Sequence, residues 1–177
     1  MSNKIELTSL DYARLIQLAA QKFHMVMLNK TQINKILFII YGVYLAQTGK
    51  HLFKDDKPKA WPFGPVFPRV YKNIDTSEII TGFSKDKIDG FKQEEGVLQL
   101  VIDTVEKLYN CSAISLTRWS HKEGSPWYTT IYQLDNDNNI IDQKKWNSEI
   151  TDQSIQEYFQ HPENCFNITM KTTSNDQ

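Results

Sequence analysis

Three prolines, one glycine and four aromatic rings share the eleven positions Trp61-Pro62-Phe63-Gly64-Pro65-Val66-Phe67-Pro68-Arg69-Val70-Tyr71. Proline lacks an amide donor and holds φ near roughly −65°, which excludes both a helix interior and a central strand. The residues before each proline (Trp61, Gly64 and Phe67) are biased toward extended backbone as well. Four rings and two valines are too much apolar area for a loop to leave in water. The segment is therefore expected to be a stiff, non-helical path pinned to the core by Trp61, Phe63, Val66 and Tyr71.

That path needs a core to lie on, and the flanking sequence supplies one. Thr8 with Asp11 reads as a capping pair, opening a helix that runs to about Met27. A second helix should begin near Thr31 and stop at Gly49, a residue suited to the left-handed position after a helix. Its main stripe is Ile33, Leu37, Ile40, Tyr41, Tyr44 and Leu45, and Ile36, Phe38, Ile39 and Val43 cover its other sides. A helix apolar all round is a buried one, so this is the expected centre of the core. Ser77 to Phe83 reads as a short strand or irregular chain. A further helix is predicted from about Gln93 to Tyr109, with Gly96 a mild cost inside it. Ser112 or Ser115 can cap a shorter helix through Trp119, and Ser125 with Pro126 reads as N-cap plus first helical residue. Asp135 to Asn139 is a polar loop, Ile140 and Ile141 suit a small strand, and Thr151 opens a last helix holding Ile155, Tyr158 and Phe159. The polar tail from about Asn167 is expected to fray. The fold class is mainly α with minor short strands, a single compact domain over residues 1–166 and a disordered tail over 167–177.

Charge and composition narrow the function. With 177 residues, 40% apolar and 12% aromatic, the chain can bury one sizeable core. Its formal charge of −1 gives no basic excess for general nucleic-acid or anionic-membrane binding. The longest apolar run, Ile36 to Ala46, is about half of what a bilayer requires, and no apolar signal region opens the chain. Cys111 and Cys165 lie far apart and form no disulfide framework. A soluble protein of the reducing cytosol is the consistent expectation.

Four constellations could carry chemistry. Asp135, Asp137 and Asn139 alternate like the first ligands of a calcium loop, but Ile140 and Trp146 occupy the places of its glycine and bidentate glutamate. His161 and Cys165 are four apart, with Pro162 between them and no second ligand pair nearby. His121 and Ser125 are also four apart, and a hydrolase or transferase could use His121 as base, given a third group to orient it. Ser125 is better explained as a cap, and His121 as a helix-end residue bonding a free carbonyl. The aromatic residues could stack nucleic-acid bases, though the near-neutral charge opposes it. No glycine-rich phosphate loop follows a strand. No cofactor and no metal are therefore expected.

Taken in order, the blocks resemble a known family. Lys35 through Phe53 is similar to the first block of the Panacea-domain family, the SocA-like or phage-associated antitoxins. Ala60-Trp61 through Gly64-Pro65-Val66 to Pro68 and Tyr71 resembles its second block. Ser120-His121 with Glu123-Gly124-Ser125-Pro126-Trp127 resembles the third, and Ile155 to Phe159 its closing helix. Pro62 stands where the family commonly has a basic or polar residue, and Ser120 where threonine is usual. The resemblance implies a mainly helical cytoplasmic antitoxin without catalysis, binding a toxin usually encoded beside it. One branch acts instead as an adaptor that hands its toxin to a protease or its unfoldase, and some members add a DNA-binding module. A prophage regulator contacting DNA is thus a further alternative, although the thirty or so residues before the first block read as one helix. The expected partner-binding neighbourhood is Trp61, Phe63, Gly64, Pro65, Pro68 and Tyr71, with His121, Ser125, Pro126 and Trp127.

Overall fold

A computed structural model describes residues 4–172. α1 (Ser9–His24) opens on the predicted capping box, in which Thr8 and Asp11 each accept the other's backbone N–H. It stops at Met25, in left-handed backbone, slightly before the expected Met27. α2 (Lys30–Thr48) carries a second box, between Asn29 and Gln32, and ends at Gly49 with φ +69°. Every residue from Ile33 to Leu45 is buried, so α2 is the central helix that its apolar periphery implied.

The proline segment differs from the expected single path. It folds as a hairpin of β1 (Lys59–Trp61) and β2 (Gly64–Val66), and Pro68 then opens α3 (Pro68–Asn73). β1 is the middle strand of a sheet ordered β2-β1-β5, where β5 is Ser148–Glu149. Each proline sits where a missing N–H does no harm: Pro62 in the turn, Pro65 on an edge strand, Pro68 at the first helical position. The prolines excluded a helix interior and a central strand at their own positions, and left an edge strand and a helix start open.

The helix predicted over Gln93–Tyr109 is present as α5 (Val97–Leu108), and a separate helix, α4 (Lys85–Gln93), precedes it where none was expected. Gly96 is the residue before α5, at φ +81°, rather than an interior cost. α4 buries only Gly90 and Phe91, so it left little apolar period to find. Residues 78–84 form no helix or strand, the irregular alternative for most of Ser77 to Phe83. α6 (Ala113–Ser120) is capped by Ser112, α7 (Pro126–Ile131) by Ser125, and α8 (Asp152–Phe159) by Thr151, as expected. β3 (Tyr132–Leu134) pairs with β4 (Ile140–Gln143) across the Asp135 turn. A single 3₁₀ turn, Pro162–Cys165, follows α8.

The helices pack around α2, with α1 and α5 against it and each other, and α6 and α8 also against it. One contiguous apolar cluster reaches from Leu7 to Met170. The fraying expected from Asn167 does not hold at its start, because Ile168 and Met170 are buried. Gln47 brackets Met170, donating to its carbonyl at 3.0 Å and accepting its N–H at 2.6 Å. The last part of that expectation, residues 173–177, lies outside the described residues. The chain is an α-rich α+β fold with only short strands.

Candidate functional site

Eight of the ten expected residues lie on the β1–β2 hairpin or on α7 and the turn that leads into it from α6, and Pro68 and Tyr71 lie on α3, which follows the hairpin. α2 holds the hairpin from beneath. The Asn34 carboxamide accepts the Phe67 N–H at 2.9 Å and donates back to the Lys30 carbonyl, linking hairpin exit to helix start. Lys35 is fully buried, and its ammonium donates to the Pro65 carbonyl at 3.0 Å. Burial pushes that amine down to about 7, since the charged form loses its hydration.

α6 and α7 clamp the hairpin from the side. Gly64 has φ +101°, and a Cβ there would collide with Ser120 Oγ and come within 2.7 Å of Lys35 Cε. The close approach of strand and helices therefore requires glycine. Thr117 Oγ1 donates to the Phe63 carbonyl at 3.4 Å, and Trp127 Nε1 donates to the Trp61 carbonyl at 2.8 Å. Trp61 Nε1 in turn donates to Asn147 Oδ1 at 2.9 Å, tying β1 to the chain entering β5. These bonds fix both ends of a four-residue turn.

The third block is a stack of rings beside this clamp. The His121 ring lies flat on Trp127, centroids 3.7 Å apart and planes 9° apart. His121 does not bond a free carbonyl through Nε2, as the sequence suggested; that atom is buried without a partner. Burial, and then the Lys35 charge, push the His121 pKa below its ordinary value. Ser125 is buried; its Oγ donates to the Ser120 carbonyl at 2.7 Å and accepts the Tyr128 N–H at 3.2 Å. A nucleophile needs its proton directed at a base. Ser125 directs its proton at backbone, and no bond joins it to His121 among the described residues.

Of the four expected anchors, Val66 is buried and Trp61 half-buried, whereas Phe63 and Tyr71 are exposed and Phe67 anchors in their place. Phe67 is fully buried and meets Tyr41 and Phe53 edge-on, and Val66 is buried beside it. Phe63, by contrast, is 72% exposed, and Tyr71 is exposed against the edge of Trp61. The hairpin is thus held by backbone bonds and by Phe67, which frees Phe63. Trp61 is half-buried, Gly64, Pro65, Pro126 and Trp127 are buried, and Pro68 is partly covered.

Sequence reasoning missed Asn34, Asn147 and Trp146, the last stacked on Trp127 at 6.2 Å. Lys35 was visible only as a charge beside the greasiest run. Asn147 carried no signal, because its role depends on pairing across 86 residues.

Other candidate chemistry dissolves into ordinary structure. The Asp135 carboxylate accepts the N–H groups of Asp137 and Asn139 and so caps its own turn. Cys165 is buried, with its thiol pushed up to about 11 by burial, and donates to backbone, while His161 is exposed beside Glu163. Among the described residues no group of three His, Cys, Asp or Glu could hold a metal, and no helix is long and apolar enough to cross a membrane. An apolar groove of about 680 Å³ lies elsewhere, between α1, α4 and residues 79–83.

Comparison with known proteins gives one family. A family model described as "Antitoxin SocA-like, Panacea domain" matches residues 33–128, more than half of the chain. The match covers α2 from Ile33 onward, the hairpin and the His121–Trp127 stack, and stops before α8. Among curated proteins, the male gametocyte surface protein P230p of Plasmodium falciparum (isolate 3D7) is 26% identical over 170 residues. That match covers 94% of this chain but only 6% of the P230p protein. No solved structure matches.

Proposed function

The chain belongs to the SocA-like, Panacea-domain antitoxin family, and from that premise we propose that it neutralises a cognate protein toxin by binding it directly. The observation that carries this reading is the clustering of the family's blocks: the matched segment converges on one braced hairpin whose turn leaves Phe63 exposed. Such a turn has little conformational freedom left to lose when a partner docks. Exposed aromatic side chains on rigid backbone are also frequent energetic anchors of interfaces. The protein acts by occupying its partner rather than by catalysis, in keeping with an antitoxin family and with a Ser125 hydroxyl committed to backbone.

The ten residues divide by role in this reading. Gly64, Pro65, Pro68, Ser125, Pro126, His121 and Trp127 shape and hold the turn, and Trp61, Phe63 and Tyr71 present its outer surface. The partner is encoded by an adjoining gene and reaches the protein in the cytoplasm. Neutralisation proceeds by occlusion, with delivery to a protease as the adaptor variant of the same contact.

Co-expression with the product of the adjoining gene tests this. The neighbour alone should arrest growth, and the wild-type chain should restore it. A harmless neighbour, together with no relief of any other toxin, would remove the basis of the proposal. Growth restored only in cells holding an active protease would select the adaptor variant.

A further inference from the structure

The backbone and the side chain of Trp61 are fixed by different residues. Its carbonyl accepts the Trp127 indole N–H at 2.8 Å, which secures β1. Its own indole N–H donates to Asn147 Oδ1 at 2.9 Å. Two side-chain orientations are common on strands, so β1 alone leaves the direction of this half-buried ring open. In the orientation that Asn147 holds, the ring meets Tyr71, centroids 5.3 Å apart and planes 65° apart. Tyr71 is held in turn by α2: the Lys30 ammonium donates to its carbonyl at 2.8 Å and lies 5.0 Å from its ring centroid.

The Asn147 carboxamide projects from a turn that is itself firmly tied. Asn147 has left-handed backbone, φ +75°, a conformation that asparagine tolerates better than bulky residues do. Its N–H donates to the Ala60 carbonyl at 2.8 Å, and Ser148 after it pairs with Ala60 in the sheet. Trp146 before it stacks on Trp127, and Ser148 Oγ donates to the Lys145 carbonyl at 2.7 Å. Backbone therefore joins this turn to the hairpin, while the carboxamide alone reaches the Trp61 ring. Asn147 is exposed, so that one bond can be removed without opening the core.

We propose that Asn147 is a positioning residue for partner binding: its carboxamide sets the Trp61 indole against Tyr71, so that the two rings meet the partner as one preformed face. The partner is the toxin of the antitoxin reading, on which this role rests. Asn147 lies outside the matched span of residues 33–128, yet it orders a ring inside it. A ring that holds the binding orientation only part of the time weakens apparent affinity by that fraction. One neutral hydrogen bond shifts such a balance by about fivefold.

Two variants separate the side chain from the backbone. Asn147→Gly keeps the left-handed turn and the N–H to Ala60 but removes the carboxamide. Asn147→Asp keeps an oxygen acceptor in the same place. The probe is the purified product of the adjoining gene, titrated into the ¹⁵N-labelled full chain. Asn147→Gly should lose the nuclear Overhauser contacts between the Trp61 and Tyr71 rings and exchange its Trp61 indole proton faster. It should bind the probe about fivefold more weakly, with hairpin amide exchange and the urea midpoint close to wild type. Asn147→Asp should restore both ring contacts and affinity, and its failure to do so would overturn the proposal. Ring contacts and affinity unchanged in Asn147→Gly would overturn it too, by showing that the asparagine serves the turn alone. So would lost protection across the whole hairpin, which would make Asn147 a structural brace. If the rings part but the probe binds as before, the positioning role falls and the antitoxin reading stands. If the wild type does not bind the probe, the antitoxin reading falls, and the ring contacts alone judge whether Asn147 orders this face.

Discussion

Gly64 and Lys35 show how closely the hairpin is fitted to its bed. Gly64→Ala would combine a positive φ with a Cβ driven into Ser120 and Lys35. Backbone strain and overpacking together should cost roughly 3 kcal/mol, read as a lower urea midpoint with unchanged slope. Lys35 makes a different prediction. Its folded pKa of about 7 lies below the ordinary 10.5, so the unfolded chain binds the extra proton between those values. Stability should therefore rise with pH from about 7, by about 1.4 kcal/mol per pH unit for one proton. The rise should reverse above pH 10, because buried Tyr12 and Tyr41 have raised pKa values and favour the protonated folded state. His121, lowered from 6.5, adds a rise of the same sign at more acidic pH. Lys35→Met should flatten the slope between pH 7 and 10, measured by denaturation across that range. A wild-type profile flat in that window would show the amine to be hydrated.

At the scale of elements, α2 decides the architecture and leaves its neighbours little choice. Its apolar circumference accepts α1, α5, α6 and α8 together, and its first turns hold the hairpin through Asn34 and Lys35. Gly42 is where α8 comes closest: a Cβ there would meet the Phe159 ring at 2.7 Å. Glycine inside a helix costs about 1 kcal/mol relative to alanine, so an isolated α2 would gain from Gly42→Ala. In the folded protein the Phe159 ring must move, and overpacking of about 1–3 kcal/mol wins. Gly42→Ala should thus lower stability by about 1–2 kcal/mol, seen in the urea midpoint. A more stable variant would mean that α8 is mobile on α2.

Across the whole molecule, folding separates what the sequence interleaves. The family's blocks lie up to ninety residues apart, yet Trp127 bonds Trp61 and Gly64 touches both Lys35 and Ser120. The same folding seats Ile168 and Met170, from the polar stretch after Cys165, in the core, where Met170 pairs with Gln47 and Lys171 runs past Gly96, while Asn167, Thr169 and Lys171 stay exposed. A polar stretch can be ordered by two bonds and two buried apolar residues, which composition alone does not disclose.

What was legible in the residues is what local physics controls. Caps at Thr8, Ser112, Ser125 and Thr151, the stop at Gly49 and the buried α2 follow from hydrogen-bond chemistry and helical period within a few residues. The ordered blocks were legible too, so the family could be named. Which of the block residues are buried was not. Phe63 and Phe67 are the same residue type four positions apart, one open to solvent and one sealed beneath Tyr41 and Phe53. Only strand pairing decides which ring faces inward, and that pairing depends on Asn34, Lys35, Trp127 and Asn147, brought together from distant parts of the chain.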